Sequence, residues 1–271
     1  MSTPQSPIPV ETWNRIMVMG NDDQDDITRC RICGVNGELS KEHVLPKSWH
    51  NNRNLSWSDR ESHNGVIKTV RRKRQRGFTV STVCRSCNNG PLSHHQSKFV
   101  RYINDIKNLG SRSAVGSFIE MTPPGDHRDF LRVVVGMILA VNIVEFGDNN
   151  PDLRKFVLGH LDKIKLPFDV YAFYAPDKEE VGTIQRLHAR VDTFAKGYGL
   201  YAGEISMHPI GFVYGFNFGE HYKIEHFAHI GHWAHVDNAS ICLRLPVRMT
   251  GIDSLHRMSF SRNGPEYSRH M

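Results

Sequence analysis

TRCRICGVNGELSKEHVLPKSW (residues 28–49) and GFTVSTVCRSCNNG (residues 77–90) hold four of the five cysteines of this 271-residue chain, as two C-x-x-C pairs, Cys30/Cys33 and Cys84/Cys87. Two residues between cysteines let one turn present both sulfurs to a single ion. Two such pairs complete the tetrahedral four-thiolate shell that structural zinc prefers. The 50 residues between the pairs exceed the usual zinc-finger separation and suit two knuckles that hold an inserted element together. A redox dithiol and unrelated buried thiols are the competing readings. The N-terminal MSTPQSPIPVETW has neither a basic stretch followed by an apolar run nor a small-residue cleavage site, so the expectation is a cytoplasmic protein whose paired thiols are not disulfides. Cys242, flanked by Ile241 and Leu243, reads as a core residue.

Charge separates the chain in the same way. Residues 1–110 carry 17 Lys+Arg against 10 Asp+Glu, and residues 111–271 carry 17 against 18, so the net charge of +6 belongs to the first part. A basic segment beside a neutral one points to a polyanion, with a merely soluble basic surface as the alternative. The composition, 39% hydrophobic and 23% charged, is that of a folded protein and excludes disordered and collagen-like classes. The longest apolar stretch, 130–146, is interrupted by Arg132, Asn142 and Glu145, which excludes a membrane span of the usual kind.

Pattern reading gives four segments. Residues 1–27 are a loose tail with a short helix near 13–19. Residues 28–109 are the Cys/His-rich basic unit: a knuckle, ELSKEHVLPKSW, a long polar stretch over 50–76, a strand at 77–83, the second knuckle and a helix over 93–108, where Phe99, Ile103 and Ile106 recur at helical spacing. Residues 110–126, with Pro123-Pro124, read as a linker with a strand at 115–121. Residues 127–271 read as an α+β domain. It has a long buried helix over 127–146 ending at Gly147, a shorter one over 151–161, and strands at 167–174, 200–207, 210–218 and 239–245 in a mainly antiparallel sheet. The C-terminal SRNGPEYSRHM is expected to fray.

Glu42-His43-Val44-Leu45-Pro46 lies inside the cysteine-bounded element, and the second pair runs directly into Asn88-Asn89-Gly90. The pattern CRIC, SKEHVLPKSW, VCRSCNNG resembles the zinc-knuckle branch of the HNH endonuclease family over residues 28–108. That family has a ββα-metal core, a hairpin packed on a helix around one catalytic divalent ion. The resemblance implies Glu42 as a metal ligand, His43 as the general base and Asn88 as the ligand at the family's final His/Asn position. Mg²⁺ or Mn²⁺ would be the catalytic ion and zinc on the four cysteines the structural one. Thr79 stands where the family has its middle Asn, and His50-Asn51-Asn52 replaces its common Gly-Gly. His94, His95 and Gln96 fall where relatives often carry a further ligand.

The chemistry agrees with this implication. Phosphodiester hydrolysis needs an activated water, charge neutralisation at the phosphate and stabilisation of the leaving oxygen. A carboxylate is a hard ligand for Mg²⁺, and a histidine titrating near neutrality can accept a proton from water. Lys68, Arg71, Arg72, Lys73, Arg74 and Arg76 read either as a solvated loop or as a phosphate-contacting arm that guides DNA, with RNA as another polyanion of the same chemistry. Trp49 and Trp57 read as packing residues or base-stacking platforms. The expectation is therefore a metal-dependent endonuclease, with a zinc-stabilised nucleic-acid-binding or assembly protein lacking catalysis as the alternative. A single site cuts one strand, so double-strand cleavage would call for a homodimer.

HFAHIGHWAH places His226, His229, His232 and His235 every third residue, with Glu220-His221 upstream. That spacing gathers side chains only in helical or tight-turn geometry, and a strand scatters them. The cluster reads as an amphipathic element with surface histidines, or as a second metal or phosphate site.

Overall fold

The computed structural model describes residues 28–43, 46, 49, 54–63, 66–74, 79–110, 118–122, 126–175, 181–189, 201–216, 218, 227–235 and 243–246, with 42–43, 54–63, 66–74, 181–183, 185–189, 201 and 246 described by their backbone. The expected tail and its helix, the C-terminal stretch, Cys242, Arg76, Glu220, His221 and His226 lie outside the described residues.

β1 (Leu39–His43) pairs antiparallel with β4 (Thr79–Cys84), and the insertion between them forms a second hairpin of β2 (Asn54–His63) and β3 (Val66–Arg74). The stretch read as a polar loop is therefore largely strand, and the basic residues Lys68, Arg71, Arg72, Lys73 and Arg74 sit on β3. Asn64-Gly65, between the two strands, is the strongest short hairpin signal in the sequence. After β4 come a single helical turn (Arg85–Cys87), a wide turn (Asn88–Leu92) broken at Gly90, and α1 (Ser93–Gly110). His95, Phe99, Tyr102, Ile103, Ile106 and Gly110 form the buried stripe of α1 at three- and four-residue steps. Gly110 ends it where a Cβ would collide with the Tyr174 ring, 2.0 Å away.

β5 (Phe118–Met121) precedes α2 (His127–Val141), whose N-terminus is capped by the Asp126 carboxylate accepting from the Arg128 N–H at 2.8 Å. α2 is buried on every side, as expected of a helix at the centre of a core. The long helix expected over 127–146 stops at Asn142. Its side-chain amide donates to the Ile138 carbonyl (2.7 Å) and to the Tyr214 hydroxyl (3.0 Å), and its backbone is extended. That side-chain bond competes with continuation of the helix. The chain restarts as α3 (Val144–Asp148), and α4 (Pro151–Val157) follows with Pro at its first position.

The remaining strands are β6 (Asp169–Tyr174), β7 (Val181–Ala189), β8 (Tyr201–Met207), β9 (Ile210–Phe216), β10 (Ala228–His229) and β11 (Leu243–Pro246). A seven-stranded sheet runs β10-β6-β9-β8-β7-β2-β3, antiparallel throughout except for β2 against β7, while β11 pairs with β5. The fold is α+β. All seven residues of β9 are buried, because helices cover one sheet face and Phe173, Ala175, Ala202, Val213 and Phe218 form a smaller cluster elsewhere.

Residues 28–109 and 127–271 do not pack separately. One apolar cluster runs from Ile32 and Trp49 through Phe99 and Ile106 to Phe130, Val134, Phe212 and Tyr214, and the β2–β3 hairpin extends the sheet of the later segment. Trp49 is the clearest joint. It is fully buried, its ring meets Phe99 at 5.3 Å and Phe212 at 6.0 Å, and its Nε1 donates to the His208 carbonyl at 3.0 Å. It is a packing residue and not a base platform.

Candidate metal centre

The first knuckle is a tight reversal. The Gly34 N–H donates to the Cys30 carbonyl (2.8 Å), the Cys30 N–H to the Val35 carbonyl (3.0 Å), and the Gly37 N–H to the Thr28 carbonyl (2.7 Å). Gly34 takes φ +77°, a conformation open to glycine and strained for other residues, and the Arg154 guanidinium lies against it. The second knuckle begins at Cys84, where β4 turns into helix, and the Arg31 N–H donates to the Thr82 carbonyl at 2.8 Å to dock one knuckle on the other.

This places the ligand atoms of Cys30, Cys33, Cys84 and Cys87 within 4.8 Å of one another, with Cys33 Sγ and Cys84 Sγ 3.9 Å apart. Four thiolates bonded at about 2.3 Å to one tetrahedral ion have sulfur–sulfur edges of about 3.8 Å, so the cluster can hold a metal such as zinc. All four are free thiols. The electrostatics are uneven. The Cys87 thiol and the N–H groups of Cys84, Cys33 and Ile32 hydrogen-bond Cys30 and bring it down to about 4 against the opposing effect of burial. Cys87 is pushed up by the same contact with Cys30 and by burial, and Cys33 is pushed up chiefly by burial. Four anions this close repel one another, and a central cation is what lets all of them ionise.

The knuckles are fastened to the helical layer by cations and carbonyls. Arg31 Nη1 (3.0 Å) and Thr82 Oγ1 (2.9 Å) both donate to the Ala140 carbonyl, one of the C-terminal carbonyls of α2 that the helix itself leaves open. Arg29 donates to Asp148 at 2.6 Å, and Arg154 bridges Asp148, the Arg31 carbonyl and the Val144 carbonyl.

Asn88 adjoins this centre, and Glu42 and His43 lie farther along the same hairpin. Glu42 is in register with Val80 and His43 with Thr79, at the end of the hairpin away from Cys84. β4 has one residue more than β1 between these pairs and the Ser40–Val83 pair, a bulge of the kind that re-aims side chains near functional sites. Asn88 follows Cys87 directly, and its Nδ2 donates to Ser40 Oγ at 3.3 Å, while Ser40 Oγ donates to the Val83 carbonyl at 2.9 Å. The amide nitrogen is thus committed to β1, and the oxygen is the end available to a cation.

His95 is drawn elsewhere. It is buried, and its Nδ1 meets Asp129 Oδ1 at 3.0 Å; Lys98 donates to Oδ2 at 2.6 Å and Arg132 to Oδ1 at 3.1 Å. Burial pushes Asp129 up, but the bonds and charges of His95 and Lys98 prevail and hold it far below the ordinary carboxylate range. This network joins α1 to α2, and no local motif announces it. In the other cluster, His229 lies on β10, His232 in a 3₁₀ turn (Gly231–Ala234), and His235 just beyond it. The triplet spacing is therefore split between strand and turn. Burial, reinforced by His229, His235 and His127, lowers the His232 ring below the ordinary imidazole value.

Among the described residues no helix is long and apolar enough to cross a membrane. No family model, curated protein or solved structure matches this chain. The functional reading rests on the residues themselves.

Proposed function

We propose that this chain is a metal-dependent endonuclease of the HNH type that hydrolyses phosphodiester bonds of DNA, with a structural zinc ion on Cys30, Cys33, Cys84 and Cys87. The observation that supports the reading is that these residues belong to one hairpin and the turn that follows it. Glu42-His43 ends one strand of a bulged hairpin, Asn88 is hydrogen-bonded back to that strand, and the four cysteines close the same hairpin from its other end.

Glu42 and Asn88 offer hard oxygen donors and would hold Mg²⁺ or Mn²⁺, which supplies charge neutralisation at the scissile phosphate and the leaving oxygen. His43 takes the proton of the attacking water. Thr79, its cross-strand partner, would orient the imidazole through its hydroxyl. The products are a 5′-phosphate and a 3′-hydroxyl, as the family resemblance implies. Lys68, Arg71, Arg72, Lys73 and Arg74 lie on β3, the outermost strand of the sheet, and supply phosphate contacts that strengthen as salt is lowered. Residues 127–271 provide the frame on which the hairpin is fastened.

The test is nicking of supercoiled plasmid at low salt by the full chain, with Mg²⁺, Mn²⁺ or EDTA. His43→Ala is expected to keep its zinc and its fold and to cut at least about a hundredfold more slowly. Undiminished cutting by that variant removes His43 from its role. DNA binding with no nicking in either metal favours a zinc-stabilised binding protein instead.

A further inference from the structure

We propose that one face of the β2–β3 hairpin is a phosphate-binding surface for duplex DNA, built from three cross-strand pairs: Arg60 with Thr69, Arg71 with Ser58, and Lys73 with Ser56. This inference rests on the DNA partner of the proposed function and not on its catalytic step. It narrows the phosphate contacts of β3 to one side of the sheet, because neighbouring residues of a strand belong to opposite faces.

The register fixes the division. One row across the sheet, from β6 through β9, β8, β7 and β2 to β3, is Ala172, Phe212, Ile205, Ile184, Trp57 and Arg72. Its first four members are fully buried in the large apolar cluster that also holds Cys30, Cys87 and Phe99. That face is therefore the one on which the helices and the four-cysteine hairpin pack. The adjacent row, Tyr171, Val213, Glu204, Gln185, Ser58 and Arg71, belongs to the opposite face.

The two faces of the hairpin differ in composition. Leu55, Trp57, Val66 and Val70 continue the apolar face, together with Lys68, Arg72 and Arg74. Asp59 and Glu61 share it, and Glu61 is in register with Lys68, so carboxylates offset much of its positive charge. The opposite face has Arg60, Arg71 and Lys73, and among the described residues of the hairpin no carboxylate lies on it. Each of these cations is in register with a hydroxyl residue. Charged and hydroxyl donors together are the groups that contact phosphate oxygens without reading sequence. Arg71 and Lys73, two residues apart, recur about 7 Å along the strand. In strand order the nearest described carboxylate on that face is Glu204 on β8, which is fully buried and accepts from Ser206 Oγ at 2.7 Å. β3 ends the seven-stranded sheet, so its cations stand at the rim of the face.

The experiment measures binding of a short fluorescent DNA duplex by the full, zinc-loaded chain over a series of salt concentrations, without added Mg²⁺ or Mn²⁺. Arg60→Gln/Arg71→Gln/Lys73→Gln should weaken binding at least about tenfold at low salt and flatten the log–log salt slope by about 2.7. Lys68→Gln/Arg72→Gln/Arg74→Gln removes the same charge from the other face and should flatten the slope by less than about 1. Arg60→Lys/Arg71→Lys keeps the charge and should keep the slope, which separates lost contacts from a disturbed fold. Zinc content and circular dichroism are compared in every variant. Equal losses from the two triple variants, a larger loss from the second, or a wild-type chain that binds no duplex would overturn the proposal. Plasmid nicking by the same proteins separates the two readings. Binding through Arg60, Arg71 and Lys73 without nicking supports this surface and ends the nuclease reading, whereas nicking with a salt slope indifferent to these three residues overturns the surface and leaves that reading.

Discussion

Cys30 is fully buried and its sulfur receives N–H donors from Cys33 (3.5 Å) and Cys84 (3.3 Å), whereas His229 lies on the edge strand of the sheet with 42% of its side chain in solvent. Cys30 belongs to a cluster that can hold a metal and His229 to a surface ion pair with Asp169, and the fold is related to them differently. Around Cys30 the backbone is turned toward the sulfur, and the knuckles carry the arginines that bind the ends of α2 and α3. A metal held there would be part of folding. Around His229 the turn rests on Ile230 and Trp233, which are apolar and buried, so the fold there stands on packing alone. Between them lies the Asp129 network, a buried charged cluster that neutralises itself with side chains alone.

Substitutions should separate these three cases. Cys30→Ser should have the largest effect: loss of the zinc and more than about 4 kcal/mol of stability in denaturant unfolding. A variant that keeps its unfolding midpoint would mean the cysteines do not hold the structure together.

Asp129→Asn should come next, at about 3 kcal/mol near neutral pH, because it strands buried Arg132 and His95 without their carboxylate. The folded-state pKa of Asp129 is depressed, so its stabilisation is present above the unfolded value of about 3.9 and is lost as pH falls below it. The stability gap between wild type and Asp129→Asn should therefore be constant from about pH 5 to 7 and close in stronger acid. A gap that widens in acid would contradict the assignment.

His229→Ala should be the mildest, below about 1 kcal/mol, since its contact with Asp169 is a partly exposed ion pair. A large loss of stability in thermal unfolding would show that the two regions are not so different.

The contrast also explains what could be read from the sequence. The cysteine centre was legible because its ligands come as local pairs in turns, and α1 because Phe99, Ile103 and Ile106 repeat at helical spacing. The strand expected over 77–83 is present as Thr79–Cys84, while its partner Leu39–His43 had no strand pattern of its own. The β2–β3 hairpin was hidden by its charge, as strands rich in Arg, Lys and Ser resemble loops when apolar content alone is weighed, and Asn64-Gly65 was the signal to follow. Its parallel partner β7 mixes Val181, Ile184 and Leu187 with polar residues, and the pairing is a tertiary fact with no local trace. The break at Asn142 was masked by the apolar residues Ile143, Val144 and Phe146, which continue the helical pattern past a side chain that caps the helix. His95 with Asp129 and His229 with Asp169 join residues far apart in the chain, and spacing cannot reveal such contacts.

The claim on which the rest hangs is that four thiolates share one zinc ion and thereby fix the hairpin that carries His43. X-ray absorption at the zinc edge of the full chain tests it directly. The account predicts one zinc per chain with four sulfur neighbours at about 2.3 Å; a shell containing nitrogen or oxygen, or a folded chain that takes up no zinc from a supplemented solution, would contradict it.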